Sequence, residues 1–97
     1  MIYVPNAFSP NDDGVNDELG VFPPAGLEGN IAVYQIFDRW GGQVFESRDN
    51  LLGSTSGWWN GEYRGQPAQE GVYLYHIEIS LLNGRSITLQ GDVVVVR

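Results

Sequence analysis

Apolar and polar positions alternate along much of this chain, and no stretch repeats its apolar residues at helical spacing. Ile31, Val33, Gln35 and Phe37 fall on one face of an extended segment, with Ala32, Tyr34 and Ile36 on the other. Apolar residues on both faces predict a strand covered on both sides. Arg39-Trp40-Gly41-Gly42-Gln43 reads as a turn into a second strand, Val44 to Ser47, and the two form a hairpin. Residues 48–57 are polar and read as a connection across the end of the domain, and residues 23–30 as a loop. A second hairpin closes the chain: Val72 to Leu82 runs into Asn83-Gly84, and Arg85 to Val96 returns. Asn-Gly favours the positive backbone angles of a type I′ turn, and Asn60-Gly61 carries the same signal. Gly91 interrupts the return strand, which predicts a bulge or kink. About seven short strands without a helix predict an all-β fold, an immunoglobulin-like antiparallel β-sandwich.

Length and charge narrow the picture. Ninety-seven residues make one domain, spanning 1–97, with room for one small core but not for a deep cavity. The net charge is −7, with five arginines and no lysine, which argues against nucleic acid or an anionic membrane surface as partner. Cysteine is absent, so thiol chemistry and disulfides are excluded. No apolar run reaches the length of a membrane span, so direct membrane insertion is not expected. No signal-peptide pattern is seen either. The chain is expected to be a module of a longer protein, with Met1 an addition and Arg97 a natural C-terminus.

The densest chemistry lies near the start. Asn11, Asp13 and Asp17 stand at positions 1, 3 and 7 of an acidic loop, Gly14 permits a sharp turn, and Asp12 and Asn16 add oxygen donors. Calcium takes six to eight such oxygens at about 2.3–2.6 Å, so the loop is a candidate calcium site. The glycine comes at position 4 rather than 6, and Phe22 stands where an EF-hand carries its bidentate Glu. The alternative is an Asx-rich turn whose side chains bond their own backbone. Without a nearby His or Cys, zinc is not expected.

Nothing in the chain assembles into a catalytic constellation. His76, the single histidine, lies in an apolar strand, and the serines stand in no nucleophile-elbow context. The protein therefore reads as non-enzymatic. Trp40, Trp58, Trp59 and Tyr63 suit either a sandwich core or a platform that stacks on sugar rings. Neighbours on a strand point to opposite faces, so Trp58 and Trp59 do not both enter the core, and Trp59 is the expected exposed one. Arg39, Trp40, Trp59, Tyr63 and Arg64 are the candidate partner contacts. The apolar run Val93 to Val96 offers a further surface. Were it at a sheet edge, its backbone would accept a partner strand, and otherwise it is an ordinary core strand.

The opening Pro5-Asn6-Ala7-Phe8-Ser9-Pro10-Asn11-Asp12-Asp13-Gly14-Val15-Asn16-Asp17 resembles the start of the gliding motility-associated C-terminal domain. This is the type B sorting domain of the type 9 secretion system of Bacteroidota. The likeness continues through Ile36-Phe37-Asp38-Arg39-Trp40-Gly41, Val44-Phe45-Glu46, Trp58-Trp59-Asn60-Gly61, Gly65-Gln66-Pro67, Gly71-Val72-Tyr73-Leu74-Tyr75 and Gly91-Asp92-Val93, in the family's order. Departures are the second tryptophan before Asn60, Gly42 where a side chain is usual, and the missing lysines, which leave any basic docking to the arginines. The resemblance implies a sorting module at the end of a larger secreted protein, which reaches the medium or the cell surface by way of the periplasm. Its partners would be the outer-membrane secretion machinery and membrane-associated partner proteins, and its mechanism recognition rather than chemistry. A glycan- or surface-binding module, or a passive spacer in an adhesin, is the competing reading.

Overall fold

The computed structural model describes residues 1–11, 14 and 17–97. Seven strands and no helix are found among them: β1 (Ala7–Phe8), β2 (Gly29–Asp38), β3 (Gln43–Leu51), β4 (Glu62–Tyr63), β5 (Gln66–Pro67), β6 (Gly71–Leu81) and β7 (Ser86–Val95). Five of them form one sheet in the order β1-β7-β6-β2-β3, and β4 pairs with β5 alone. The all-β reading holds. The main sheet is mixed rather than purely antiparallel, because the short β1 runs parallel to β7. Its inner face is covered by segments that bury Ile2, Leu19, Val21, Trp59 and Ala68, joined by isolated bridges, Tyr3 to Phe22 and Leu19 to Trp59, rather than by a second broad sheet.

Both predicted hairpins form, and the β6–β7 ladder runs without a break from Gly71↔Val95 to Ser80↔Ser86. Its inward positions, Tyr73, Ile77, Ile79, Val93 and Val95, are buried with Phe8, Leu19, Val21, Ile31 and Ile36. Each such aliphatic side chain contributes roughly 1.5–3 kcal/mol relative to an exposed one.

The predicted phase of β2 is corrected at one residue. The register slips between Ile31 and Val33 against β6, so Ala32 is an extra residue. Because side chains alternate, one inserted residue flips the phase. Ile31 therefore points inward with Tyr34 and Ile36, while Val33, Gln35 and Phe37 lie half-buried on the outer face. The strand is thus covered by the core on one side only. Partner strand β3 continues to Leu51, through residues expected in a connection. Pairing with β2 at the sheet edge carries the polar run Arg48, Asp49 and Asn50 into strand conformation, with Asp49 at a positive φ of 58°.

Turn chemistry also departs from expectation. Asn83 has a negative φ and only Gly84 enters the left-handed region, at 89°. Gly84 N–H donates to Leu81 C=O at 3.0 Å and Leu81 N–H to Arg85 C=O at 2.8 Å, a type I turn followed by a glycine bulge rather than type I′. Paired positive angles occur instead at Arg64 and Gly65, between β4 and β5. Gly91 makes no bulge. It pairs in register with Tyr75, and a Cβ there would meet the Tyr75 hydroxyl oxygen at 2.6 Å, so the tyrosine ring fills the space a side chain would take.

Sheet and cover meet at Tyr34. Its buried hydroxyl donates to Leu19 C=O at 2.7 Å and accepts from Trp59 N–H at 3.0 Å. Burial pushes this phenol well above its ordinary pKa, the Trp59 amide lowers it less, and Glu18 adds to the rise. Burial raises Tyr73 and Tyr75 as well. In the unfolded chain these phenols ionise near pH 10, so above that pH the unfolded state binds fewer protons and stability falls as pH rises. Tyr34→Phe strands a carbonyl and an amide in the core and is expected to cost about 2–4 kcal/mol in urea denaturation at pH 7. The variant should also lose stability less steeply than the parent above pH 10.

Candidate functional site

The acidic loop is described at Asn11, Gly14 and Asp17, while Asp12, Asp13 and Asn16 lie outside the described residues. Asp17 organises it: one carboxylate oxygen accepts Asn11 N–H at 3.1 Å and the other accepts Gly14 N–H at 2.7 Å. This is the turn-forming use of an aspartate. Among the described residues no group of three or more His, Asp or Glu side chains is placed to hold a metal.

The loop is tied down from the far end of the chain. Arg97 Nη1 donates to Pro10 C=O at 3.2 Å, Nη2 to Gly61 C=O at 2.7 Å, and Nη2 and Nε to Ala68 C=O at 2.9 and 3.1 Å. Arg97 N–H adds a bond to Glu70 Oε1 at 2.7 Å. A planar guanidinium satisfies several diverging carbonyls at once, which an ammonium does not. One side chain thereby joins the segment after β1, the turn after Trp59 and the loop after β5. Sequence reasoning passed over this role, and a terminal arginine carries no pattern that would reveal it.

Two exposed turns carry the predicted contacts. On the β2–β3 turn, Asp38 Oδ1 accepts Trp40 N–H at 3.0 Å and Gly42 N–H at 2.8 Å, and Gly41 takes a φ of 90°. Trp40 is left 77% exposed, with the Arg39 guanidinium 4.8 Å from its ring centroid. On the β4–β5 turn, Arg64 lies 5.1 Å from the ring of the exposed Tyr63. Each pair holds a cation over an aromatic face at the surface, worth about 0.5–1 kcal/mol.

Trp59 is the correction. It is 0% exposed, not exposed as expected. Its ring meets Phe8 and Tyr73 edge-on at 5.5 and 5.0 Å, and its indole N–H donates to Glu62 C=O at 2.9 Å. Trp58 and Trp59 do part as alternation requires, but the bridge to Leu19 sets the phase so that Trp59 points inward. Trp58 is the outer, half-buried partner and packs on Phe22 at 5.3 Å. A sugar platform built on Trp59 has lost its central ring.

On the outer face of the main sheet, Gln35, Phe37, Leu74, His76, Gln90 and Asp92 line an open concavity of about 700 Å³. Gln90 Nε2 donates to His76 Nδ1 at 2.8 Å, and the opposite ring nitrogen bonds Glu78 at 2.7 Å. This histidine is engaged at both ring nitrogens.

Arg97→Ala is expected to cost about 1–3 kcal/mol in urea denaturation, since charge-assisted bonds to three separate segments go at once. Arg97→Lys should recover less than half of that, because one ammonium does not span the three carbonyls.

The chain matches no curated protein. It does match the family model described as the CHU_C type IX secretion signal domain, over residues 2–95, nearly its full length. A secretion signal of this family implies export to the outside or the surface of the cell and contact with the secretion machinery, and its members act by being recognised rather than by catalysis. The match takes in the Arg39–Trp40 turn, the Trp59 core and the loop anchored by Arg97, and this chain accordingly belongs to the type IX secretion signal domain family.

Proposed function

We propose that the chain is the C-terminal sorting module of a larger secreted protein, recognised in its folded form. The observation that carries this reading is the family match over residues 2–95. The cargo crosses the periplasm and is handed to the outer-membrane machine, with membrane-associated proteins assisting. Arg39 with Trp40 and Arg64 with Tyr63 are the contact residues of this reading, supported by their exposure on turns and by their cation–aromatic pairing. Trp59 contributes through the core that positions those turns. The module itself does no chemistry.

The test places residues 2–97 behind a leader and a fluorescent reporter in a Bacteroidota host. Reporter should reach the medium or surface in the intact strain and stay in the periplasm of a strain without the type IX system. Arg39→Ala/Trp40→Ala should lower export at least 5-fold at unchanged stability. Periplasmic retention of the parent fusion would count against the sorting role.

A calcium ion held by Asn11, Asp12, Asp13, Asn16 and Asp17 is a separate proposal, supported by the density of oxygen donors on one short loop. It predicts a melting temperature at least 5 °C higher in millimolar calcium than in chelator, with the difference gone in Asp13→Ala. Coincident melting curves would reduce the loop to an Asx-rich turn.

A further inference from the structure

The edges of the main sheet are treated differently. On β3, the outer edge carries Glu46, Arg48 and Asp49, with Glu46 and Arg48 paired to each other. Asp49 sits at positive φ, and the register against β2 slips near Val44. Charges and irregularities of this kind are how folded proteins blunt an edge against added strands.

The opposite edge is less protected, with Asp92 the one charged residue of β7. β1 covers β7 at only two positions, Ala7↔Val94 and Phe8↔Val95. Val94 N–H donates to Asn6 C=O at 2.9 Å and Val96 N–H to Phe8 C=O at 3.0 Å, so even-numbered residues of β7 turn their backbone polar groups away from β6. The unbroken β6–β7 register carries that phase back through Asp92, Gln90 and Thr88. Among the described residues no strand pairs with them there. The open stretch Ser86-Ile87-Thr88-Leu89-Gln90-Gly91 contains no charge and no proline. At about 3.3 Å per residue it offers close to 20 Å of template.

The core beneath this edge is also unfinished. Ile87 and Leu89 pack against the core yet remain partly exposed, whereas Ile79 and Ile77, their partners on β6, are buried. A strand laid beside β7 would satisfy the free amides and carbonyls and cover those two side chains together.

We propose that the free edge of β7, residues Ser86–Gly91, accepts an extended strand from a protein of the secretion machinery. Main-chain pairing would supply affinity, and alternate side chains the selection. The strand chemistry follows from the edge: apolar residues at the positions beside Ile87 and Leu89, polar ones beside Thr88 and Gln90, and a neutral or basic overall charge. The charge requirement excludes a second copy as the favoured occupant, because edge-to-edge pairing would bring together two chains of net charge −7. The identity of the partner rests on the sorting reading above, and the openness of the edge does not.

Hydrogen exchange on the isolated 97-residue chain should show Thr88 and Gln90 amides exchanging at least 100-fold faster than Leu89 and Gly91. Equal protection would overturn the proposal. In the export assay, Thr88→Pro removes an outward N–H without breaking the β6 ladder, and Thr88→Lys puts a charge on the edge. Both should lower export at least 10-fold, while Thr88→Ala, which keeps the backbone, exports like the parent. If Thr88→Pro fails to fold, Thr88→Lys decides the matter. Normal export of the Lys variant with an exported parent would sink the edge proposal alone, whereas an unexported parent would sink the sorting reading and this partner with it. A dimer in light scattering that Thr88→Lys dissolves would assign the edge to a second copy and overturn the proposal.

Discussion

One hydroxyl group holds the two layers of this domain in register. Tyr34 rises from strand β2, between β6 and β3, into the core, where its oxygen donates to Leu19 and accepts from Trp59, the two residues that bridge in the covering layer. The covering layer has little structure of its own, since β4 and β5 are two residues each and the rest is isolated bridges. Without a fixed polar contact from below, apolar packing alone would allow that layer to slide. Trp59, once placed, sets the edge-on rings of Phe8 and Tyr73 and, through Glu62 and Gly61, the turn that Arg97 clamps. A polar group so deeply buried is costly unless fully satisfied, and here it is.

Much of the sheet was legible in the sequence because alternation and turn signals are local. The β2–β3 and β6–β7 hairpins stood out from Ile31–Phe37, Val72–Leu82 and Asn83-Gly84. What stayed hidden depends on distant partners. Ala32 looks like any strand residue, yet as a bulge it sends Ile31 to the opposite face from the one that simple alternation assigns. The alternation rule showed that Trp58 and Trp59 must part, but only the bridge to Leu19 decides which goes inward. Gly91 reads as a break until Tyr75 is seen across from it. Of the candidate contacts, Arg39, Trp40, Tyr63 and Arg64 lie on exposed turns as expected, while the Arg97 clamp joins residues up to 87 positions apart and has no local signature.

The surface features of the described residues suit the recognition role of the secretion signal family. Three carboxylates organise backbone, Asp17 and Asp38 at turns and Glu70 at the Arg97 amide, while His76 sits between the side chains of Gln90 and Glu78. Among the described residues, the surface also presents two cation–aromatic turns and a stretch of unpaired strand. Each exists only when the fold exists. On the sorting reading proposed above, a partner that used these features would sense the folded domain.

The direct measurement is export as a function of folded fraction. Reporter fusions bearing a graded core series, Ile77→Val, Tyr34→Phe and Trp59→Leu, would be scored for type IX-dependent export beside the stability of each isolated domain. The account predicts that export falls in step with the fraction folded at growth temperature, with exposed turn and edge residues unchanged throughout. Full export of a variant that is unfolded at that temperature would contradict it, and would assign the signal to a linear segment of the chain.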